Sequence, residues 1–249
     1  MSLERIARRL RLGGATVAES PKGPLERGDI AARYISGDGI EIGALHNPLP
    51  LPTGARARYV DRLSAADLRK HYPELAAAPL VDPEILDDGE RLATVADASQ
   101  DFVIANHILE HFENPIRAVQ SMMRVLKPGG VLYLAVPDMR RTFDRRRPST
   151  SLDHTIRDYR EGPVWSRRSA YMEWATLVDG LSPEDAARQA DHYMEIGYSI
   201  HFHAWPAHGL MEMLLWTARE TSARFDIEFF AAREEENLFI LRKAVASDL

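Results

Sequence analysis

The chain has 249 residues, 45% of them hydrophobic, enough for one α/β domain with a full core and too apolar for a disordered chain. It holds no cysteine, which removes disulfides, thiolate nucleophiles, iron–sulfur clusters and thiol-ligated zinc together. A formal net charge of −6 argues against a general affinity for nucleic acid. The longest uncharged apolar run, Leu75 to Val81, is far short of the ~20 residues that a membrane-spanning helix needs.

The opening stretch sets Arg5, Arg8, Arg9 and Arg11 around Leu3, Ile6 and Leu10, a short basic amphipathic helix. It lacks the apolar core of a secretory signal, so a cytoplasmic location is expected. Such a helix either packs on its own domain or docks on a partner or membrane surface. A loop rich in glycine and proline follows to about Ser36. Residues 1–36 are therefore read as an N-terminal helix and loop, and residues 37–249 as the main domain.

From Gly37 to Asp138, strand and helix signals alternate. Gly39 to Gly43 reads as a buried strand ending at a glycine, and Ala57 to Asp61 as a second. A helical stretch covers Ser64 to His71, and Leu80 to Leu86 is the candidate third strand. Asp101 to Ala105 is a fourth. Asn114 can then cap a helix whose first turn suits Pro115, with Ile116, Val119, Met123 and Leu126 at helical spacing. Lys127-Pro-Gly-Gly130 ends it, and Val131 to Val136 is a fifth strand. This alternation predicts right-handed crossovers and a parallel sheet covered on both faces.

From Met139 to about Ile200 the text turns charged and aromatic, with helical stretches near Ser149 to Arg160 and Ser182 to Gly197. A helix from about Ala207 to Thr221 and two β-like runs, Phe225 to Phe230 and Leu238 to Arg242, complete the chain. The predicted fold is α/β: a doubly wound, Rossmann-like, seven-stranded, mostly parallel sheet with a helical insertion after strand 5, at about 139–200.

Ligands of such sheets sit beyond the carboxyl ends of the strands. Gly43 ends the first strand and lets a ligand approach the backbone, and Asp61 ends the second, where a carboxylate can accept hydrogen bonds from ribose hydroxyls. Leu45 and Pro48 stand at the later positions of a GxGxxG pattern, so a ribose-bearing ligand without phosphates fits better than a dinucleotide. Asp61 could equally be an ordinary strand-end carboxylate.

Five stretches, GIEIGAL (39–45), YVD (59–61), DGERL (88–92), DFVIANHILEH (101–111) and RVLKPGGVLYLAVPD (124–138), together resemble the class I S-adenosylmethionine-dependent methyltransferases that share an "LEH…LKPGG" signature. The resemblance implies S-adenosylmethionine as cofactor, with Glu41, Gly43 and Ala44 in the first motif, Asp61 on the ribose, Asp88 and Leu92 at the adenine, and Asn106 and His107 at the end of strand four. Asp87 and Glu90 compete with Asp88 for the adenine. Glu110 can instead cap the next helix, and His111 can simply pack.

If Tyr198 to Pro206 is extended, His201, His203 and Trp205 share a face, and members of the group carry a comparable HxHxW run. Histidine is a natural base near neutral pH, so His203, His201 and His107 are the candidate catalytic residues, with packing at the insertion junction as the alternative. His201 and His203 could also join His154, His192 or Asp158 as ligands, but no pair has strong ligand spacing and no metal is expected. Residues 140–147 hold five arginines in eight positions. Arg140 and Arg145 could clamp an acceptor's phosphate or carboxylate, with His154 and Trp205 beside them, or the loop could be merely solvated. The run VPDMRRTFDRRRPST (136–150) resembles methyltransferases found among bacterial polysaccharide genes, which implies a sugar or nucleotide-linked sugar as the small-molecule acceptor. Methylation of nitrogen or carboxylate, and a non-catalytic S-adenosylmethionine-binding module, stay open as alternatives.

Overall fold

Successive side chains of the central strands point to opposite faces of the sheet, and that alternation divides the core into two layers. The computed structural model describes residues 25–72, 75 and 77–245. Its strands, in chain order, are β1 (Asp38–Ile42), β2 (Arg56–Asp61), β3 (Ile85–Leu86), β4 (Gln100–Asn106), β5 (Leu126–Pro137), β6 (Phe225–Ala232) and β7 (Glu236–Lys243). Phe102 and Ile104 of β4 join one layer, and Val103 and Ala105 the other. Strand β5 does the same, with Val131, Tyr133 and Ala135 opposite Leu132, Leu134 and Val136. Both faces are apolar because both are covered, as a parallel sheet requires.

The sheet order is β3–β2–β1–β4–β5–β7–β6. Neighbours from β3 to β5 are parallel, and β7 runs antiparallel to both β5 and β6. This is the predicted Rossmann-like architecture.

The helices are α1 (Arg27–Tyr34), α2 (Ala65–His71), α3 (Pro115–Val125), α4 (Leu152–Glu161), α5 (Val164–Leu177), α6 (Pro183–Ile196) and α7 (Ala207–Glu220). Helices α3 and α7 cover one face with Ile116, Val119, Met122, Leu210 and Met213, while Ile30 and Ala31 of α1 cover the other. As the sequence suggests, Asn114 caps α3: its Oδ1 accepts from the Arg117 N–H at 3.0 Å. No helix among the described residues is long and apolar enough to cross a membrane.

The structure corrects the sequence reading at four places. The third strand keeps only Ile85 and Leu86, because Pro83 has no N–H for a ladder and Val81 donates instead to the Leu45 carbonyl. The glycine- and proline-rich segment before residue 37 contains α1. Helix α5 stands where no helix is predicted, since Val164, Trp165, Tyr171, Trp174 and Leu177 do not fall on one stripe. Strand β5 begins at Leu126, so Lys127 to Gly130 already belong to it. The amphipathic stretch around Leu3, Ile6 and Leu10 lies outside the described residues.

Gly39 shows how closely β1 and β4 approach. A Cβ at this position would lie 2.3 Å from the Phe102 carbonyl oxygen, a rigid backbone atom. Gly39→Ala is therefore expected to destabilise the fold by about 1–3 kcal/mol, the range for overpacking, measured by urea unfolding.

Candidate functional site

The chain leaves β1 toward β2 and leaves β4 toward β5, so a crevice opens between the carboxyl ends of β1 and β4. Gly43 turns the chain after β1 at φ +65°, and Leu45 follows at φ +50°. His107 turns it after β4 at φ +50°, a left-handed conformation that non-glycine residues seldom adopt. Two bonds hold it there: its N–H donates to the Ala135 carbonyl at 2.8 Å, and its Nε2 lies 2.8 Å from Glu236 Oε2. Burial would raise the Glu236 pKa, but hydrogen bonds from His107 and Arg27 outweigh it and bring the carboxyl down to about 2.

A cavity of about 810 Å³ occupies the crevice, within the usual size range of ligand pockets. Gly43, Asp61, Asp88, His107 and His201 of the predicted residues line it. Asp61 Oδ1 accepts from the Leu63 N–H at 3.3 Å, and burial pushes its pKa up. Asp88 stands at the rim, its Oδ1 accepting from the Glu90 N–H at 2.9 Å. Two carboxylates, a glycine turn and an apolar wall that includes Phe112 and Ile108 suit a ribose-bearing ligand without phosphates, and S-adenosylmethionine fits that description.

Other predicted residues lie outside the lining. Both Glu41 oxygens accept from the Leu49 N–H, at 2.9 and 3.2 Å, so Glu41 braces the loop after β1; burial brings its pKa up to about 7. The Ala44 carbonyl accepts from Asn47, and the Leu92 side chain is wholly buried in the core. Asn106 ends β4 with both side-chain polar atoms buried and without hydrogen-bond partners. Arg140 is occupied by two hydrogen bonds to Asp138, at 2.9 and 2.6 Å.

The segment from His201 to Trp205 is held between two elements. The Glu110 carbonyl accepts from the N–H groups of Phe202 and His203, and Trp205 forms a parallel bridge with Asp138. A bend at Phe202 breaks the alternation that a straight strand would impose. His203 and Trp205 therefore stack on each other in the interior, 5.1 Å between ring centres, both buried. Burial lowers the His203 pKa to about 4, and its neighbours are His154 and Asp158 rather than the cavity.

His201 differs. It lines the cofactor-sized cavity and a second one of about 610 Å³, and the two also share His107 and Phe143. Its Nδ1 lies 2.7 Å from Asp144 Oδ2, and its Nε2 lies 4.0 Å from Glu110 Oε1. Burial opposes ionisation of Asp144, but hydrogen bonds from His201 and Arg147 hold its carboxyl below the usual range. Buried Arg147 continues the chain to Glu173 at 2.7 Å. Phe143, Trp174 and His111 enclose the His201 ring. Sequence reasoning missed Asp144, which sits inside the arginine run; a lone acid among five arginines is the signal that could have found it.

Among the described residues, two groups of side chains have donor sets that could hold a metal: Glu110 with His111 and His201, and His154 with Asp158 and His203. In each, three donor atoms lie within 4.8 Å of one another. Hydrogen bonds already engage several members, His201 by Asp144, His111 by Ser199 and Asp158 by Ser166.

The sequence matches the family described as "Methyltransferase domain" over residues 50–134, about a third of the chain. No curated protein sequence matches. Among solved structures, the chain is similar to a Rhodobacter sphaeroides protein named among zinc-dependent alcohol dehydrogenases, at 14% identity and TM-score 0.53, over 90% of this chain and 92% of that one. That likeness bears on the fold alone. A S-adenosylmethionine-dependent methyltransferase from Methanosarcina mazei aligns at 16% identity over 87% of this chain and 97% of that one, with TM-score 0.45. The CurJ carbon methyltransferase aligns at 14% identity and TM-score 0.45 over 85% of this chain, which spans about half, 49%, of that protein's length.

Glu110 is buried with neither carboxyl oxygen hydrogen-bonded, and burial raises its pKa to about 8. A raised folded-state pKa contributes stability that is present below about 4.5 and is lost as pH rises through 8. Glu110→Gln removes that loss. The variant is expected to melt progressively higher than the wild type as pH rises from 5 to 9, a stability difference on the order of a few kcal/mol. Parallel melting curves across that range would contradict it.

Proposed function

We propose that this chain is an S-adenosylmethionine-dependent methyltransferase that methylates a hydroxyl of a sugar or a similar small polar acceptor, with His201 as general base. The observation that carries the reading is the junction of the two cavities at His107, Phe143 and His201. The cofactor belongs in the larger cavity, on Gly43, Asp61 and Asp88, and the acceptor in the smaller one. When bound, S-adenosylmethionine supplies a methyl group activated by its sulfonium.

The chain's own residues then have three tasks: to align the acceptor hydroxyl, to remove its proton and to exclude water. With its Nδ1–H donating to Asp144, His201 keeps the Nε2 lone pair for the hydroxyl proton. Asp144 is a positioning residue: it fixes the ring and the tautomer, and favours the imidazolium that forms. Phe143 and Trp174 keep water from the imidazole. Helices α4 to α6 make the cover over this end of the sheet, which is the role we assign to residues 139–200. His203, Trp205 and His154 support that cover from inside rather than touching the acceptor, and Asn106 remains available to the methionine end of the cofactor.

Screening the chain with methyl-labelled S-adenosylmethionine against sugars and nucleotide sugars tests the reading. His201→Asn is expected to lower kcat by about 100-fold or more, with cofactor affinity nearly unchanged. Equal loss of both, or label transferred to nitrogen or carboxylate, would count against it. Separately, Asp61→Ala is expected to weaken S-adenosylmethionine about tenfold, near 1.4 kcal/mol, by calorimetric titration.

A further inference from the structure

The arginine run after β5 divides into two groups once its partners are followed. Arg140 is bound to Asp138, and Arg147 is buried between Asp144 and Glu173. Arg141, Arg145 and Arg146 form no ion pair among the described residues; Arg141 donates only to the Glu234 carbonyl, at 3.0 Å. All three line the 610 Å³ cavity, where the single carboxylate is Glu235. Several arginines on the neighbouring helices do find acids: Arg157 pairs with Glu161, Arg167 with Glu113 and Arg168 with Asp191.

Three unneutralised guanidiniums facing one cavity repel one another, and an anion between them removes that repulsion. The planar fork of arginine matches the oxygens of a phosphate, and three such forks exceed the charge of one carboxylate. A phosphate monoester brings roughly two negative charges. The cavity also offers Phe143, whose surface is 52% exposed, as an apolar wall.

We infer that this cavity binds a phosphate or diphosphate group of the acceptor through Arg141, Arg145 and Arg146, an inference that rests on the methyl-transfer reading above. The anion is the handle of the acceptor, and the hydroxyl to be methylated then reaches His201 at the junction. A nucleotide-linked and a lipid-linked sugar share this chemistry.

Calorimetric titration decides it. The chain is titrated with inorganic pyrophosphate, with uridine diphosphate and, independently, with S-adenosylhomocysteine. Both anions are expected to bind saturably. The exposed double variant Arg145→Gln, Arg146→Gln is expected to weaken each at least about tenfold while leaving S-adenosylhomocysteine within about twofold. Tighter binding of uridine diphosphate than of pyrophosphate supports a nucleotide source, and equal binding a phosphate without a nucleoside. Absence of saturable anion binding, or binding that the double variant leaves intact, overturns the inference. Loss of S-adenosylhomocysteine binding alone overturns the methyl-transfer reading instead, while the pyrophosphate titration still decides the anion site.

Discussion

Two adjacent parallel strands that send the chain to opposite sides leave a gap where they end, and the rest of the site depends on that gap. Between β1 and β4 it places Gly43 opposite His107, each turning the backbone through a left-handed conformation. For Gly43 the turn has little steric cost. For His107 the conformation costs on the order of 1–3 kcal/mol, which the bonds to Ala135 and Glu236 offset. The strain sits where two cavities meet, and a relaxed residue there would carry its ring elsewhere.

Charge is the second constraint on this end of the sheet. Three of the buried carboxylates at this end of the sheet are each accommodated differently. Glu236 is surrounded by Arg27, Arg233 and His107 and stays ionised. Asp144 stays ionised between Arg147 and His201. The Glu110 carboxyl has no cation against it and no hydrogen bond from another residue, and burial raises its pKa to about 8. The same residue type therefore serves as anchor, as orienting anion and as neutral filler, according to the cations within reach.

What was legible in the sequence was whatever local patterning governs. The strands β1 and β4 are short, largely buried runs between turns, β2 is a more exposed one, and all three form where they are expected. So do α3, with its Asn114 cap, and the registers that put Gly43, Asp61 and Asp88 at the crevice. What was not legible depends on partners far away in the chain. Helix α1 is a helix because Ile30 and Ala31 meet the sheet, although Gly28 weakens its local preference. Alternation put His203 beside His201, yet the bend at Phe202 and the stack on Trp205 bury it. A clamp of Arg140 with Arg145 looked natural in a run of arginines. Only the fold reveals that Asp138 occupies the first, while Arg141 and Arg146 stand with the second.

The bond between His107 and Glu236 joins residues 129 positions apart. Strand β7, which starts at Glu236, lies between β5 and β6 rather than at the edge of the sheet. On the ribosome, the β1–β4 half of a nascent chain can therefore pair its strands well before residue 236 is translated. During that interval the His107 turn has its backbone bond at most and lacks its anionic anchor. The crevice is assembled early and tensioned last.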